Sequence, residues 1–240
     1  MPELRHKFHE ELNALEGDVQ RTGALAQRLI EKALQALASG DPATCDAVIR
    51  GDDEVDELYF AVERQIIYLF ARQSPVASDL RLLTVLLHIN LHLERIADQA
   101  VNIAKMARLA DGLPQHSGIL QRLEEMGAIA LRMVAAAMQA LARRDLQLAY
   151  RLSEMDEPID RLNRGMLREV LTARDDKRML EWGIMMHLVS RHIERIGDNA
   201  VDIGEQVAFL MTGEFHEFTD ASHPQIQRPG PPDHTRSGPD

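Results

Sequence analysis

The sequence is poor in aromatic residues and in cysteine, and these deficits limit the folds that it can form. Phe, Trp and Tyr make up only 4% of the 240 residues, while hydrophobic residues as a whole make up 45%. Sheets draw on aromatic and β-branched side chains, whereas Leu, Ala and Met favour helices. Cys45 is the single cysteine, which excludes an internal disulfide framework and suits a reducing compartment. We therefore predict an all-α protein.

Two further absences narrow the class of function. The chain has 27 Lys and Arg against 38 Asp and Glu, a formal charge of −11 at pH 7. This balance argues against a general nucleic-acid-binding protein, which needs a basic face for phosphates. No uninterrupted run of about 18 apolar residues is present and the N-terminus has no apolar signal core, so neither a transmembrane helix nor a secretion signal is expected. We expect a cytoplasmic protein that reaches the membrane only through partners.

The chain does contain one motif twice, one hundred positions apart. The first copy is LHLERIADQAVNIA at 91–104, and the second is RHIERIGDNAVDIG at 191–204. Every fourth position carries a side-chain oxygen: Glu94, Asp98 and Asn102 in one copy, Glu194, Asp198 and Asp202 in the other. On a helix this spacing places the three groups in one stripe, where like charges destabilise one another. The duplicated stripe therefore predicts a cationic partner, with a metal ion as the leading candidate.

Helical periodicity continues to about residue 213 and organises the chain into two similar halves. The pattern predicts helices at about 3–38, 41–71, 74–110, 117–142, 145–172 and 175–211. The turn at 111–114, Asp-Gly-Leu-Pro, separates the first three from the last three. We predict two tandem, pseudo-symmetric three-helix bundles at 1–110 and 115–213. The Pro-rich tail at 214–240 has no apolar period and is predicted to be disordered.

The first stripe is expected to face other helices rather than solvent. At about 100° per residue, Leu83, Leu87 and Leu91 lie on the same side of the third helix as Glu94. The opposite, solvent side is expected to carry Arg81, His88, His92, Arg95 and Gln99. A carboxylate between helices without a counter-ion loses solvation worth several kcal/mol, or stays protonated.

Antiparallel helix pairing brings a second group of acids to each stripe. The stretch with Asp52, Asp53 and Asp56 falls opposite the first stripe, and the stretch with Glu154, Asp156 and Asp160 falls opposite the second. Among these we expect further ligands at Asp53, Asp56, Asp156 and Asp160. Hard carboxylate oxygens suit iron, manganese, magnesium or calcium, and they tolerate zinc.

Two alternatives to a metal-binding adaptor remain open at this point. Salt bridges from Arg95 to Asp98 and from Arg191 to Glu194, at i, i+3 spacing, would make the chain a structural helical adaptor without metal. A carboxylate-bridged di-iron enzyme would use Glu-x-x-His pairs on facing helices, and neither repeated motif contains one. No nucleophile-and-base arrangement, P-loop or Gly-rich cofactor turn is present. We therefore predict no catalytic residues and no enzymatic activity.

The repeated pattern Glu-Arg-Ile-x-Asp-x-Ala-Val-x-Ile, at 94–103 and 194–203, resembles the signature of the PhoU family. These proteins are bacterial regulators associated with the phosphate-specific transport system. Residues 72–81, RQSPVASDLR, resemble the family's turn into its third helix, and residues 207–213, VAFLMTG, resemble its closing segment. The resemblance covers about 3–213 and implies a pair of three-helix bundles.

The resemblance also implies a site and a function. Family members bind metal clusters, iron or zinc among them, and carrying this over assigns ligands to Glu94, Asp98, Glu194, Asp198 and Asp202. Asn102 stands where the family has an aspartate, so the first copy keeps an oxygen ligand but loses a charge. The implied function is negative regulation of phosphate uptake and of phosphate-starvation signalling. The implied partners are the ATPase subunit of the phosphate ABC transporter, a membrane sensor histidine kinase and a second copy of the chain in a homodimer.

Overall fold

The structure, a computed structural model, describes residues 2–173 and 175–218, and these ranges contain helices and no strand. The α-helices are α1 (Pro2–Ser39), α2 (Pro42–Arg50), α3 (Asp52–Gln73), α4 (Ala77–Leu109), α5 (Ser117–Arg143), α6 (Leu146–Val170) and α7 (Lys177–Thr212). A short 3₁₀-helix, Leu171–Ala173, follows α6. The all-α prediction is confirmed.

The second predicted helix is divided at Gly51, which corrects the expectation of one helix over 41–71. The backbone N–H of Gly51 donates to the carbonyls of Ala47 (3.1 Å) and Val48 (3.0 Å), and α3 starts at the next residue. A Cβ on Gly51 would lie 3.0 Å from Cδ2 of Leu29, so the glycine lets α1 approach closely here. Asp52 thereby enters the first turn of a new helix, where the helix dipole favours acidic side chains.

Side-chain caps set the start of the helices that carry the site. The carboxylate of Asp145 accepts the N–H of Leu148 at 2.9 Å at the start of α6. Asp176 accepts the N–H groups of Arg178 (2.9 Å) and Met179 (3.1 Å) at the start of α7. These caps satisfy backbone N–H groups in the first turn and so fix where each helix begins.

Each half contains three long helices around one continuous core. In the first half α1, α3 and α4 pack together, with α2 as an added turn, and in the second half α5, α6 and α7 do so. The two halves meet along α4 and α7, whose Leu93, Ile96, Ile193 and Ile196 are fully buried. The predicted architecture of two three-helix bundles is thus confirmed, and one apolar core runs through both.

The contact between α4 and α7, here called the seam, corrects the expected solvent side of α4. Nδ1 of His92 lies 2.9 Å from Oδ1 of Asn199, and Nδ1 of His192 lies 2.8 Å from Oε1 of Gln99. His92 and Gln99 were expected to face solvent, but the other half of the molecule covers them. The apolar period of one helix does not reveal that a second helix also covers its polar face.

Residues 214–218 depart from the disorder expected for 214–240, because they fold back onto the second half. The ring of Phe218 contacts that of Tyr150, with the centroids 5.2 Å apart. Residues 219–240, the rest of that predicted tail, lie outside the described residues.

One helix in the described ranges is long and apolar enough to cross a membrane, although the sequence leads us to expect none. This helix is α5, and 56% of its most apolar window is buried inside the structure. Core helices of soluble bundles meet the same criteria of length and composition.

Replacing a core side chain of α4 should destabilise the whole chain. Leu86 is completely buried, so we expect Leu86→Ala to lower the free energy of unfolding by about 2–5 kcal/mol through lost burial and a residual cavity. Chemical denaturation measures this change. Leu109→Ala, at a position on the same helix that is 61% exposed, is the control. Equal losses in the two variants would contradict the described packing of α4.

Candidate metal centres

The first cluster of carboxylates lies between the start of α3 and the middle of α4. Burial raises the pKa of Asp52 to about 6, and the nearby charges of Asp56 and Asp98 add to this effect. Burial also raises the pKa of Glu94, again with contributions from Asp98, Asp56 and Asp52. The acids of the two helices are therefore close enough for each to oppose the ionisation of the others.

The members of this first cluster differ in exposure. Glu94 and Asn102 are half-buried, whereas Asp98 is exposed. On α3 the half-buried acids are Asp52 and Asp56, one turn apart, while Asp53 is exposed. The α3 residues that the structure brings to the stripe are thus Asp52 and Asp56, since a residue next to Asp52 points about 100° away around the helix.

The second cluster lies between α6 and α7 and surrounds a cavity of about 320 Å³. Four predicted ligands line this cavity: Asp156, Asp160, Asp198 and Asp202. A Cβ at Gly197 would collide with Oδ1 of Asp156, so the missing side chain lets the α6 carboxylate approach the α7 backbone. Ala97 occupies the corresponding position of the first motif.

Glu194 has one satisfied and one unsatisfied carboxylate oxygen. Oε1 accepts hydrogen bonds from Nη1 of Arg191 (2.5 Å) and Nδ2 of Asn163 (3.2 Å). Oε2 is buried and has no hydrogen-bond partner among the described residues. Burial raises the pKa of Glu194, with the Arg191 charge acting in the opposite direction. The salt-bridge alternative thus accounts for one oxygen and leaves the other without a partner.

The pKa of Asp198, in the second cluster, is strongly raised. Its side chain reaches solvent, but the surrounding helices displace much of the water that would solvate its charge. Burial, followed by the charges of Glu194, Asp160 and Asp202, raises its pKa from 3.8 to about 7. Near neutral pH this carboxylate is held charged at a cost, which a nearby cation would remove.

Asp202 connects the second cluster to the first half of the molecule. Oδ2 of Asp202 lies 3.4 Å from Nδ1 of His92, which also contacts Asn199 across the seam. Burial raises the pKa of Asp202, and the His92 and Arg95 charges act in the opposite direction. His92, in the first half, thus contacts a candidate metal ligand in the second half.

The two clusters carry different charge. The first has Asn102 where the second has Asp202, and Lys105 where the second has Glu205. The positive charge of Lys105 lowers the pKa of Asp52, against the larger effect of burial. Glu205 is buried and lines the same cavity as Asp202. The second cluster therefore has the larger excess of negative charge.

Comparison with known proteins identifies the family of this chain. The family model described as "PhoU domain" matches the chain twice, at residues 19–107 and 123–207. The chain belongs to the PhoU family. Each match contains one copy of the repeated acidic motif and the α3 or α6 acids that face it.

Named relatives cover almost the same part of the chain. A "Phosphate-specific transport system accessory protein PhoU homolog" of Caulobacter vibrioides is 33% identical over 208 residues, 86% of this chain and 90% of the relative. PhoU of Escherichia coli is 30% identical over 209 residues, 87% of this chain and 86% of the relative. The crystal structure of PhoU from Pseudomonas aeruginosa superposes with a TM-score of 0.80 at 29% identity, covering 86% of this chain and all of that one. These relatives are named as accessory proteins and not as enzymes.

The acids of this PhoU-family chain surround a space without converging on one point. In the described ranges, no group of three or more His, Cys, Asp or Glu side chains is arranged to hold a metal ion. Binding a cation therefore requires some of these side chains to turn toward it, which staggered rotamers of exposed acids permit.

Several residues of the clusters were not predicted from the sequence. Asn163 has no signal in the sequence, yet it bonds Glu194, and it is itself fixed by Oγ of Ser190, which donates to its Oδ1 at 2.9 Å. His92 approaches Asp202 only because the seam brings the halves together. Glu205 continues the second stripe three residues after Asp202, so helical spacing was a signal that could have found it.

The raised pKa of Asp198 predicts how the stability of metal-free protein depends on pH. The folded-state pKa lies near 7 and the ordinary value is 3.8, so the folded chain binds this proton more tightly. Stability from this group is therefore fully present below pH 3.8 and is lost as pH rises toward 7. Asp198→Asn should flatten this decline and, with allowance for solvent screening, stabilise the protein at pH 8 by about 1 kcal/mol, or ~2–4 °C in melting temperature.

Thermal melts in excess chelator, between pH 4 and pH 8, measure this difference. Asp53→Asn is the matched control, because it removes one charge outside the second cluster from a side chain that is also exposed. The prediction fails if Asp198→Asn and Asp53→Asn have the same effect at pH 8.

Proposed function

We propose that this protein is a metal-binding regulator of phosphate transport without catalytic turnover. The metal-binding part rests above all on Oε2 of Glu194, a buried carboxylate oxygen with no hydrogen-bond partner in the part of the chain that the structure describes, close to the charges of Asp160 and Asp198. Burying such an oxygen is costly unless a positive charge accompanies it. The fold presents the same kind of acid stripe a second time, on α4.

The donor atoms of both clusters fit hard cations. The first centre would use Asp52, Asp56, Glu94, Asp98 and Asn102, and the second Asp156, Asp160, Glu194, Asp198 and Asp202. Iron, manganese, magnesium and zinc all accept carboxylate oxygen. A bound cation would add positive charge to that of Arg191, which contacts Glu194, and of Arg164, which contacts Asp160.

The regulatory part of the proposal rests on similarity to the named relatives. The relatives are named for the phosphate-specific transport system, and the chain shares their fold over most of its length. We propose that it acts in the cytoplasm as a homodimer and restrains the phosphate ABC transporter through the transporter's ATPase subunit. We also propose that it keeps a sensor histidine kinase in its repressing state when phosphate is plentiful.

Removing acids from both stripes should abolish metal binding. We expect the variant Glu94→Ala, Asp98→Ala, Glu194→Ala, Asp198→Ala to lose most of the metal that the wild-type protein retains, because each centre loses two charged ligands. Elemental analysis of protein purified without chelator measures the content.

A matched variant controls for the loss of four acidic groups. Glu10, Glu31, Glu124 and Glu125 are exposed glutamates outside both clusters, and their joint replacement by alanine should leave metal content unchanged. Equal metal content in the two quadruple variants would show that the stripes do not bind the metal. A wild-type protein without metal, whose melting ignores chelator, would favour the salt-bridged structural adaptor.

The regulatory role makes a separate prediction in cells. In a strain lacking its own PhoU, with abundant phosphate, wild-type protein and the exposed-glutamate variant should repress a phosphate-starvation reporter. The stripe variant should leave it about tenfold more active, because regulation requires the metal-bound form.

Reporter assays and co-purification with the transporter ATPase subunit and the sensor kinase check this expectation. Full repression by folded, metal-free stripe variant would separate regulation from metal binding. A wild-type protein that neither represses nor co-purifies with either partner would refute the regulatory proposal.

A further inference from the structure

After α7 ends at Thr212, the chain folds back against the second half of the molecule. Gly213 adopts a left-handed conformation (φ 79°), and its N–H donates to the carbonyl of Phe209 at 2.8 Å. The N–H of Glu214 donates to Oγ1 of Thr212 at 3.1 Å, which fixes the next residue of the turn. Residues 213–218, here called the return segment, therefore reverse direction and run back toward the second cluster.

Phe218 ends this segment at the cavity of the second cluster. Its backbone N–H donates to Oε1 of Glu205 at 2.6 Å, and its ring lies 5.2 Å from that of Tyr150, centroid to centroid. Phe218 lines the same cavity as Asp198 and Asp202. The ring thus adds an apolar wall to an otherwise acidic space.

The place that Phe218 occupies is shaped by its neighbours on α6 and α7. A Cβ at Gly204 would lie 3.3 Å from Cε2 of Phe218 and 2.6 Å from Cδ1 of Leu152, so a larger residue there would displace both. Glu205 is only 9% exposed, yet it gives one oxygen to the Phe218 amide. Gly204 and Tyr150 border the ring, and the buried Glu205 accepts a hydrogen bond from the backbone amide of Phe218.

The first cluster has no counterpart of the return segment within the described residues. After α4 the chain turns at Ala110 and continues to α5, which begins at Ser117. Ala104 and the exposed Lys105 stand where the second half has Gly204 and Glu205. The positions that receive Phe218 therefore exist in one half only.

We propose that Phe218 closes the second centre and slows the release of the ion held there, while the first centre exchanges its ion freely. An apolar ring in the wall of the cavity excludes water, and attraction between a cation and carboxylates is stronger where water is excluded. The inference rests on the proposed metal binding. It assigns the two centres different exchange rates, one suited to retention and one to rapid response.

The test uses the full chain with Mn²⁺ as the probe. Two backgrounds isolate the centres: Glu94→Ala with Asp98→Ala leaves the second, and Glu194→Ala with Asp198→Ala leaves the first. Equilibrium dialysis establishes binding, and rapid mixing with excess chelator gives the release rate from the electron paramagnetic resonance signal. Phe218→Ala should speed release about tenfold in the second-centre background and leave the first-centre background unchanged.

A neighbouring aromatic residue provides the matched control. Phe215 lies in the return segment, is 59% exposed and does not line the cavity, so Phe215→Ala should release Mn²⁺ at the rate of its parent. Hydrogen exchange in metal-free protein tests the contact between Phe218 and Glu205. The Phe218 amide should exchange hydrogen slowly in wild-type protein and at least about tenfold faster in Glu205→Ala.

The outcomes separate the two proposals. Absence of Mn²⁺ and of every other tested metal from both backgrounds would overturn the metal-binding function, and this inference with it. Binding with equal release from Phe218→Ala and its parent would overturn the inference alone, as would an unprotected Phe218 amide in wild-type protein.

Discussion

Carboxylates held between packed helices are the constraint on which the rest of this structure depends. Burial and mutual repulsion raise the pKa of Asp52 to about 6 and that of Asp198 to about 7, so charging them costs stability at neutral pH. The apolar core that runs through both halves must offset this cost for the acids to remain in place. The presence of such acids in both halves is the observation behind the proposed cation binding.

The seam between α4 and α7 gives that constraint its geometry. Both stripes lie on these two helices, and the helices are held side by side by fully buried residues such as Ile96 and Ile196. Reciprocal polar contacts, His92 with Asn199 and His192 with Gln99, set their register. A shift of one helix along the other would break these contacts and would also separate His92 from Asp202. The two clusters therefore lie on helices that are packed directly against each other.

Pseudo-symmetry in the fold does not make the centres equivalent. Asn102 and Lys105 reduce the negative charge of the first, while Asp202 and Glu205 increase that of the second. Gly197 admits Asp156 to the α7 backbone, and Asn163 and Arg191 hold one oxygen of Glu194. Phe218 lines the second cavity. The two halves thus share their helices and differ in the residues that set the charge of each cluster.

Helix content, the twofold repeat and the acid stripes were determined by the sequence alone, because they depend on the 3.6-residue period and on spacing along one chain. Position relative to other helices was decided by the tertiary structure. Periodicity could not show that α7 covers His92 and Gln99, that Asp52 rather than Asp53 faces α4, or that Gly51 divides a helix where α1 comes close. Periodicity also could not place Phe218 at the second cavity, because residues 213–218 carry no apolar period. Their path depends on the left-handed Gly213 and the buried Glu205. Spacing within a helix specifies which side chains share a face, and only packing specifies what that face meets.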